Sequence, residues 1–385
     1  MNYFLTEEQE ALRDLAYEFA MGKIAPVAAE YDEKAEFPWP IIKEMARMDF
    51  FRLFIPEEYD GMGAGVLDLT LVTEQFSRAC AGIALALAGS SLGTFPILIA
   101  GNDEQKKRFL PELASGEALG AFCLTEPEAG SDAGAIQTSA KRVGDHYILN
   151  GTKHFITNGG VAKYYTVIAN TDPSRGSRGA SAFVVEDGME GLVYGKKEDK
   201  MGIRASATCE VVFQDCKVPK ENLLGREGQG FMIAMKTLDK SRPGVAAQAL
   251  GIAQGAFDHA VKYAKTRHQF GQSIASFQAI QFMLADMATQ IEAARALIYA
   301  TAKMIDAGIK DFGKESAMTK VLASDVAMKV TTDAVQIFGG YGYMKDYPVE
   351  KFMRDAKITQ IYEGTNQIQR NVIARHVIKE SARAH

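Results

Sequence analysis

The chain has 385 residues, of which 47% are hydrophobic and 24% are charged, a balance typical of a globular protein rather than a disordered, collagen-like or fibrous one. At roughly 150 residues per domain, this length predicts two or three domains. The 43 lysines and arginines and 48 acidic residues leave a net charge of −5. This argues against a nucleic-acid partner, because binding a phosphate backbone needs a basic surface.

No segment predicts export, a membrane anchor or a metal site. Residues 1–10 are acidic and lack the features of a signal peptide, and the apolar stretch 79–89 is too short to span a bilayer. The four cysteines form no C-x-x-C pair, and the six histidines have no metal-binding spacing. We therefore expect a cytoplasmic protein with reduced cysteines, no metal ion and no membrane partner.

The pattern along the chain predicts a helical domain at residues 1–118, a β domain at 119–230 and a second helical domain at 231–385. The β-type runs alternate with turn dipeptides such as Asn150-Gly151, a strong hairpin signal. The predicted fold class is α+β multidomain, with an N-terminal all-α domain, a middle antiparallel β-barrel or sandwich, and a C-terminal four-helix bundle. The absence of βαβ alternation and of a G-x-G-x-x-G motif argues against a doubly wound nucleotide fold.

Local signals place some of the helices more closely. Thr6 and Gln9 form a capping box before the first helix. Apolar residues recur at steps of four and three over residues 280–298, the spacing of a bundle seam. A later helix is predicted to stop at Gly339, and the last one to run from about Gln367.

One motif points to a different class of enzyme. Residues 89–93 have the G-x-S-x-G form of a hydrolase nucleophile elbow. That elbow needs a strand before the serine, whereas an alanine-rich, helix-like stretch precedes this one. We therefore reject the hydrolase interpretation.

Two glycine-containing loops of the β domain have the composition of a ligand-binding surface. Residues 124–132 place hydroxyl side chains on both sides of a Pro/Gly turn, which lets backbone amides approach an anionic or heteroaromatic ligand. Residues 155–160 add an aromatic side chain beside a hydroxyl donor. Taken alone, the first loop is more typical of an ordinary polar loop, so its interpretation depends on the other motifs.

A single acidic residue near the C-terminus is a candidate general base. Glu363 lies between the apolar residues Ile361 and Tyr362 and a glycine. On its own it would be interpreted as a surface acid, since glutamate is seldom buried unpaired. Together with the ligand-binding loops it becomes a candidate base, because apolar surroundings raise the pKa of a carboxyl group toward the working pH.

Together these segments resemble the acyl-CoA dehydrogenase family over essentially the whole chain, most closely its short- and medium-chain (butyryl-CoA type) members. Residues 123–135 match the first family signature, residues 336–355 match the second, and residues 361–370 add a third match. The resemblance implies a flavoenzyme with FAD between the β domain and the C-terminal bundle.

The resemblance also implies a reaction, the α,β-dehydrogenation of an acyl-CoA to the 2-enoyl-CoA. Glu363 matches the base that takes the pro-R α-proton of the thioester while the β-hydride passes to flavin N5. Hydrogen bonds from the flavin ribityl chain and from the backbone N–H of the base stabilise the developing enolate. Some relatives carry the base at the position of Ser241, so Glu363 is the candidate that remains.

Site residues are implied by the same matches. Around the flavin ring the resemblance places Phe122, Leu124, Thr125, Gly130, Ser131, Phe155 and Thr157, the last aromatic being Trp in many members. Across a subunit interface it places Arg267, Phe270, Gln278, Gln336, Gly339 and Gly340, and elsewhere in the cofactor site Thr365, Asn366 and Gln367. For the substrate it gives Ser131, Asp239, Arg242, Tyr362 and Gly364.

Substrate class and partners follow from the family match. Residues 82–95 match the floor of the acyl pocket and contain no charged side chain, which favours an uncharged acyl group over a dicarboxylic one. We expect a short- to medium-chain or an alicyclic acyl-CoA. The family also implies an electron-transferring flavoprotein as acceptor and a homotetramer, a dimer of dimers, because its FAD site takes residues from a neighbouring subunit.

The motifs leave the physiological direction open. An enoyl-CoA reductase working in reverse would carry the same residues, since these set the chemistry and not the flavin potential. A family oxidase that uses O₂ is disfavoured because such chains are much longer. A non-enzymatic, DNA-associated member is disfavoured by the net charge of −5.

Overall fold

The computed structural model describes residues 3–382, and its first part is helical. The helices are α1 (Glu7–Phe19), α2 (Ala28–Lys34), α3 (Trp39–Arg47), α4 (Val66–Ala100) and α5 (Asp103–Ser115), with a π-helical turn (Ala20–Ile24) after α1. The predicted capping box is confirmed: the Thr6 hydroxyl accepts from the Gln9 N–H, and the Gln9 side chain accepts from the Thr6 N–H. This helix buries Phe19 against α4.

Helix α4 is the longest of these five helices. It runs for 35 residues, interrupted by a non-helical backbone at Cys80. By length and composition it could cross a membrane, but 72% of its most apolar window is buried inside the protein, where it forms core. Residues 89–93 lie within it, so they do not form a hydrolase elbow. Gly93 allows β1 to pass close by, because a Cβ there would lie 2.4 Å from the Ala121 nitrogen.

The middle of the chain forms one eight-stranded sheet. Its strands are β1 (Gly120–Cys123), β2 (Ser139–Val143), β3 (His146–Thr157), β4 (Tyr164–Asn170), β5 (Ala180–Glu186), β6 (Leu192–Lys197), β7 (Thr208–Pro219) and β8 (Leu223–Leu224). The order is β6-β7-β3-β2-β4-β5-β8, with β1 alongside β4. The sheet is antiparallel as predicted, except that β1 pairs parallel with β4 and β2 meets β4 at one parallel pair.

The hairpin predicted at Asn150-Gly151 is wrong. Both residues lie inside the continuous strand β3, where the register against β7 shifts between Leu149 and Gly151. The Asn150 amide donates to the Asp215 carboxylate at 3.0 Å and accepts from the Asp215 N–H at 2.8 Å. The dipeptide therefore makes a bulge that is hydrogen-bonded to the neighbouring strand instead of reversing the chain.

The last part of the chain is helical again. Its elements are α6 (Gly230–Thr266), a short hairpin of β9 (His268–Gln269) and β10 (Gln272–Ser273), and helices α7 (Gln278–Asp306), α8 (Gly313–Phe338), α9 (Val349–Ile358) and α10 (Asn366–Ser381). Helices α6, α7 and α8 pack on one another, and α10 packs on α8. The predicted stop of α8 at Gly339 and the start of the last helix near Gln367 are confirmed.

The three-part architecture confirms the predicted fold class. The change from helix to strand falls between Ser115 and Gly120, and the change back falls between Leu224 and Gly230. The domain bounds at 118/119 and 230/231 stay predictions. Helix α4 contacts both α6 and β1, so it lies where the helical and β parts meet.

Candidate active site

The main cleft, of about 560 Å³, lies where α4, the β-domain loops, α6 and the segment before and within α10 meet. Eleven of the predicted site residues line it: Phe122, Leu124, Thr125, Gly130, Ser131, Phe155, Thr157, Arg242, Tyr362, Glu363 and Gly364. The fold thus brings together three segments that are separate in the sequence: the loops at residues 124–132 and 155–160 and the C-terminal segment around Glu363. The remaining predicted residues lie elsewhere.

Glu363 is held in an unusual backbone conformation. Its φ is +52° and that of Gly364 is +89°, in the left-handed region that costs energy for a residue with a side chain. Buried groups hold this turn: the Gln369 amide donates to the Glu363 carbonyl at 2.9 Å, and the Lys320 ammonium donates to the Gly364 carbonyl at 2.8 Å. A Cβ at Gly364 would lie 2.4 Å from the Gln369 amide nitrogen, so glycine is required there.

The environment of the Glu363 side chain makes it a stronger base than an exposed glutamate. Burial raises the pKa of its carboxyl group, against the opposing effects of the Ser241 hydroxyl, which donates to it, and of Arg242 and Lys320. This is the direction that its apolar neighbours predicted. The Glu363 backbone N–H donates to no carbonyl of the described backbone, so it can donate to a ligand in the cleft.

Arg242 is a nearly buried cation that lines the main cleft. The residue is 5% exposed and its guanidinium pairs with the Asp239 carboxylate, while Nε is buried without a partner among the described residues. Asp239 itself does not line the cleft, so it positions Arg242. Tyr362 faces the cleft too, and its hydroxyl donates to Gln248, which in turn donates to the Ala81 carbonyl of α4 at 3.3 Å.

The β-domain side of the cleft offers open hydroxyl and aromatic surfaces. Thr125 and Thr157 line it, and Phe155 is 62% exposed on a bulge of β3 with φ +58°. A Cβ placed on Gly130 would meet nothing within 4 Å, so there is space above this loop. These features suit a flat heteroaromatic ligand with hydrogen-bonding edges.

Two buried polar residues that shape this side were missed by sequence reasoning. Glu126 accepts from the Gln137 and Thr138 N–H groups and pairs with Lys153 at 2.7 Å, which closes the loop 124–138. Asn158 donates to the Ala86 carbonyl of α4 and to the Gly120 carbonyl of β1, both at 3.1 Å. The Asn-Gly turn was the available signal for Asn158, but it shows only the turn and not the contacts.

A second group of predicted residues lies around a shallower surface cleft of about 440 Å³. Arg267, Gly339 and Gly340 line it, and the Arg267 guanidinium lies 5.3 Å from the centre of the Tyr341 ring. On the hairpin nearby, Phe270 is 93% exposed. Gln278 and Gln336 are exposed and line neither cleft. The single chain therefore does not bring this group to Glu363.

Residues 365–367 do not line the main cleft. The Thr365 hydroxyl caps α10 by accepting from the Ile368 N–H, and Gln367 is exposed. The Asn366 amide is buried and is used by α8: it accepts from Lys320 at 2.9 Å and donates to Ser324 and Asp325. The Asn366 side chain thus helps to fix the turn, and the cofactor contact expected of Asn366 stays a prediction.

Fold and cleft thus define a three-part protein, helical, β and helical, whose main cleft joins a basic carboxylate to a surface for a flat ring. Family models for the N-terminal, middle and C-terminal domains of acyl-CoA dehydrogenase match residues 6–117, 121–216 and 228–378. The chain belongs to the acyl-CoA dehydrogenase family and is an oxidoreductase of its short-chain type. The family consists of FAD-dependent flavoproteins that act in fatty acid oxidation.

Three relatives show the extent of this similarity. Butyryl-CoA dehydrogenase from Megasphaera elsdenii is 51% identical, with a TM-score of 0.96 and coverage of 98% of this chain and 100% of that one. A chain from the structure of the electron transferring flavoprotein of Acidaminococcus fermentans is 54% identical, with a TM-score of 0.96 and coverage of 98% and 99%. Acryloyl-CoA reductase (NADH) from Anaerotignum propionicum is 50% identical over 98% of this chain and 96% of its own length.

The residues present fit FAD. The open space at Gly130, the hydroxyl-bearing Thr125 and Thr157 and the exposed Phe155 ring suit the isoalloxazine. In the second cleft, a Cβ placed on Gly339 or Gly340 would meet no atom within 4 Å, and Arg267 lines the same cleft. An open backbone next to a cation suits a diphosphate.

Proposed function

We propose that the chain catalyses the α,β-dehydrogenation of a short- or medium-chain or alicyclic acyl-CoA to the 2-enoyl-CoA, with Glu363 as the base. The observation that carries this proposal is the carboxyl group of raised pKa in the wall of the main cleft, together with the surface suited to a flavin. A thioester α-proton is very weakly acidic, so its base needs a raised proton affinity and a fixed position.

The residues of this chain have separate tasks in that reaction. The Glu363 carboxylate takes the α-proton, and the Ser241 hydroxyl orients the carboxylate until the substrate arrives. The Glu363 N–H donates to the thioester carbonyl and stabilises the developing negative charge there. Arg242, held by Asp239, lines the cleft and would bind the CoA portion.

FAD, when bound, supplies the acceptor for the β-hydride. Thr125 and Thr157 would bond the edge of its ring, and Phe155 would lie against its face. Arg267 and the glycines at 339 and 340 would hold the diphosphate of a neighbouring subunit's cofactor. The ring-binding residues border the same cleft as Glu363, which supports proton and hydride leaving adjacent carbons of one bound substrate.

The substrate class is supported by the α4 wall of the cleft. The α4 residues that line it carry no charge; they are Leu69, Thr73, Leu85, Ala88, Gly89, Ser91, Leu92 and Phe95. Of the small residues that could enlarge the acyl pocket, Ala88 lines the cleft, whereas Ala84 and Ala86 are buried outside its lining. An uncharged acyl chain of limited length therefore fits best, since a free carboxylate would lack a basic partner on this wall.

Turnover of a panel of acyl-CoA thioesters with an artificial electron acceptor tests the proposal. The panel contains straight-chain thioesters from four to twelve carbons, an alicyclic thioester and glutaryl-CoA. In a separate measurement without the acceptor, the bleaching of the flavin by each thioester is followed under anaerobic conditions. We expect the highest kcat/KM in the short to medium or alicyclic range. Fastest turnover of glutaryl-CoA would contradict the substrate class, and a colourless protein that takes up no FAD would contradict the whole proposal.

Reduction of an enoyl-CoA is the second candidate function, favoured by the similarity to acryloyl-CoA reductase. The same panel, repeated with 2-enoyl thioesters and a reduced artificial donor, distinguishes the two directions. A kcat/KM for the enoyl thioester far above that for the saturated one would identify a reductase. The reverse ratio would identify a dehydrogenase, which is the direction that we propose.

We also propose the partners that the family match implies. An electron-transferring flavoprotein would receive the electrons, and similarity to the chain from Acidaminococcus fermentans supports this acceptor. A homotetramer, a dimer of dimers, would place Arg267 and its neighbours beside another subunit's cofactor. The exposed Phe270 supports such an assembly. The cytoplasm stays the predicted location.

A further inference from the structure

Lys320, in the middle of α8, is a buried cation without a direct ionic partner among residues 3–382. Its side chain is fully buried, and it lines none of the clefts described above. Its ammonium donates to the Gly364 carbonyl at 2.8 Å and to the Asn366 side-chain oxygen at 2.9 Å, both uncharged acceptors. Lysine is rarely buried unless a carboxylate pairs with it, so this position calls for a reason.

Both acceptors belong to the turn that carries Glu363. Gly364 follows Glu363 directly, and Asn366 begins α10, where its amide is also bonded to Ser324 and Asp325 of α8. The ammonium therefore ties the left-handed turn to the centre of a long helix. Gln369, on α10, donates a further hydrogen bond to the turn, from its amide to the Glu363 carbonyl.

Charge links Lys320 to the base as well. Three charged groups influence it from the elements packed around it: Glu363 on the turn, Arg242 on α6 and Asp325 on α8 itself. Burial lowers the pKa of Lys320 to about 8, and among these charges the Glu363 carboxylate most strongly opposes that lowering. Burial raises the pKa of the Glu363 carboxyl group, and the Lys320 ammonium acts against this effect by lowering that pKa.

We propose that Lys320 is a positioning residue for the reaction, whose ammonium both holds the Glu363 turn to α8 and favours the ionised form of the Glu363 carboxylate. This inference rests on the proposed function of Glu363 as the base. Because Lys320 lies behind the turn and outside the main cleft, it acts on the base and leaves the substrate contacts alone.

Substituting Lys320→Met tests both parts of the proposal, because methionine keeps the length of the side chain without its charge or its donors. Without the cation the pKa of Glu363 rises, so the acid limb of the kcat/KM profile moves to higher pH by about one unit. Loss of the tie loosens the turn, so kcat at the optimum falls roughly ten- to a hundredfold while KM changes little. Lys320→Gln, which keeps one donor but no charge, shifts the limb equally and loses less kcat.

The matched control is Lys329→Met on the same helix. Lys329 is exposed and pairs with Asp333, so this variant removes a charge from α8 without touching the turn. All three variants and the wild type are assayed from about pH 5 to pH 9, with flavin content and thermal unfolding measured alongside. The control should keep the wild-type profile.

The results separate the possible failures. A Lys320→Met profile that is lowered equally at every pH, with its acid limb unmoved, would show a merely structural lysine and overturn the proposal. Lys320→Gln, which keeps a donor to the turn, carries the same test if Lys320→Met fails to fold, and an unmoved acid limb in that variant also overturns the proposal. A wild type without dehydrogenase activity would instead refute the proposed function.

Discussion

Replacing Glu363 by glutamine removes the proposed base while leaving its surroundings nearly unchanged. Glutamine has the same shape, and its side-chain oxygen can still accept from the Ser241 hydroxyl. The backbone of the turn is held through the Glu363 and Gly364 carbonyls by Gln369 and Lys320, and neither hydrogen bond involves the carboxylate. The variant should therefore fold, bind FAD and bind acyl-CoA.

The expected loss of activity follows from the role assigned to the carboxylate. A positioned general base contributes about 10² to 10⁴ in rate, and here the α-proton has no other described acceptor in the cleft of comparable basicity. We expect kcat to fall at least about 10³-fold, which corresponds to about 4 kcal/mol in the activation free energy. KM should change little, because the amide cannot accept the proton but occupies the same space.

Rapid-mixing measurement of flavin bleaching by a saturated thioester checks this expectation, since it follows one turnover without an acceptor protein. The wild-type bleaching rate should also fall as the pH decreases through the raised pKa of Glu363, because the base acts only when ionised. In Glu363→Gln that acid limb should disappear. The control is Glu117→Gln, an exposed glutamate in the loop after α5, which should behave as the wild type.

Full bleaching by Glu363→Gln would refute the assignment of the base. Loss of the yellow cofactor in that variant would instead contradict the reasoning on the turn, because it would show that the carboxylate is needed to build the site. An acid limb that persists in the variant would mean that another group sets it. Each outcome is visible in the same absorbance record.

Two further predictions concern the cofactor site and the assembly. Glu126→Gln leaves the buried Lys153 without its partner and should lower the free energy of unfolding by about 3–5 kcal/mol in denaturant titrations. Burial opposes ionisation of Glu126, but Lys153 and the N–H donors of the loop outweigh burial and lower the pKa of the Glu126 carboxyl group. The stability that the ionised Glu126 contributes is therefore lost as the pH falls through its folded-state pKa. A destabilisation by Glu126→Gln that is equal at every pH would contradict this prediction. Light scattering should show a tetramer for the wild type, and a wild-type monomer would refute the predicted assembly. Phe270→Ser removes an exposed aromatic side chain expected at the subunit interface, so it should weaken the tetramer and reduce the amount of bound FAD.

Local patterns predicted the architecture well because they depend on neighbours in the chain. The capping box at Thr6, the end of α8 at Gly339 and the start of α10 each follow from residues within a few positions. The parallel pairing of β1 with β4 and the bulge at Asn150 depend on strands that are distant in the chain. Periodicity cannot show such partners, and the same Asn-Gly dipeptide serves a turn or a bulge.

The site divides in the same way. Glu363 and the two β-domain loops could be proposed because each lies in a contiguous, recognisable segment that borders the main cleft. Lys320 and Glu126 could not, because a buried charge in a sequence looks like a surface charge until its partners are known. Asn366 shows the converse: it belongs to a matched segment, yet its amide is used by α8 and not by the cleft.

A base for a thioester α-proton must meet two opposing demands, and the placement of the cations around Glu363 answers both. A direct ion pair would lower the pKa of the carboxyl group by about 1–3 units and weaken the base, whereas burial without any cation would keep it protonated. In the described structure Arg242 pairs with Asp239, and Lys320 bonds to Gly364 and Asn366, so both act on the carboxylate from beyond contact. Among the described residues only the Ser241 hydroxyl hydrogen-bonds to the carboxylate, and a hydroxyl can be displaced by substrate at little cost. The raised pKa of the base thus depends on keeping each nearby cation bonded to a different group.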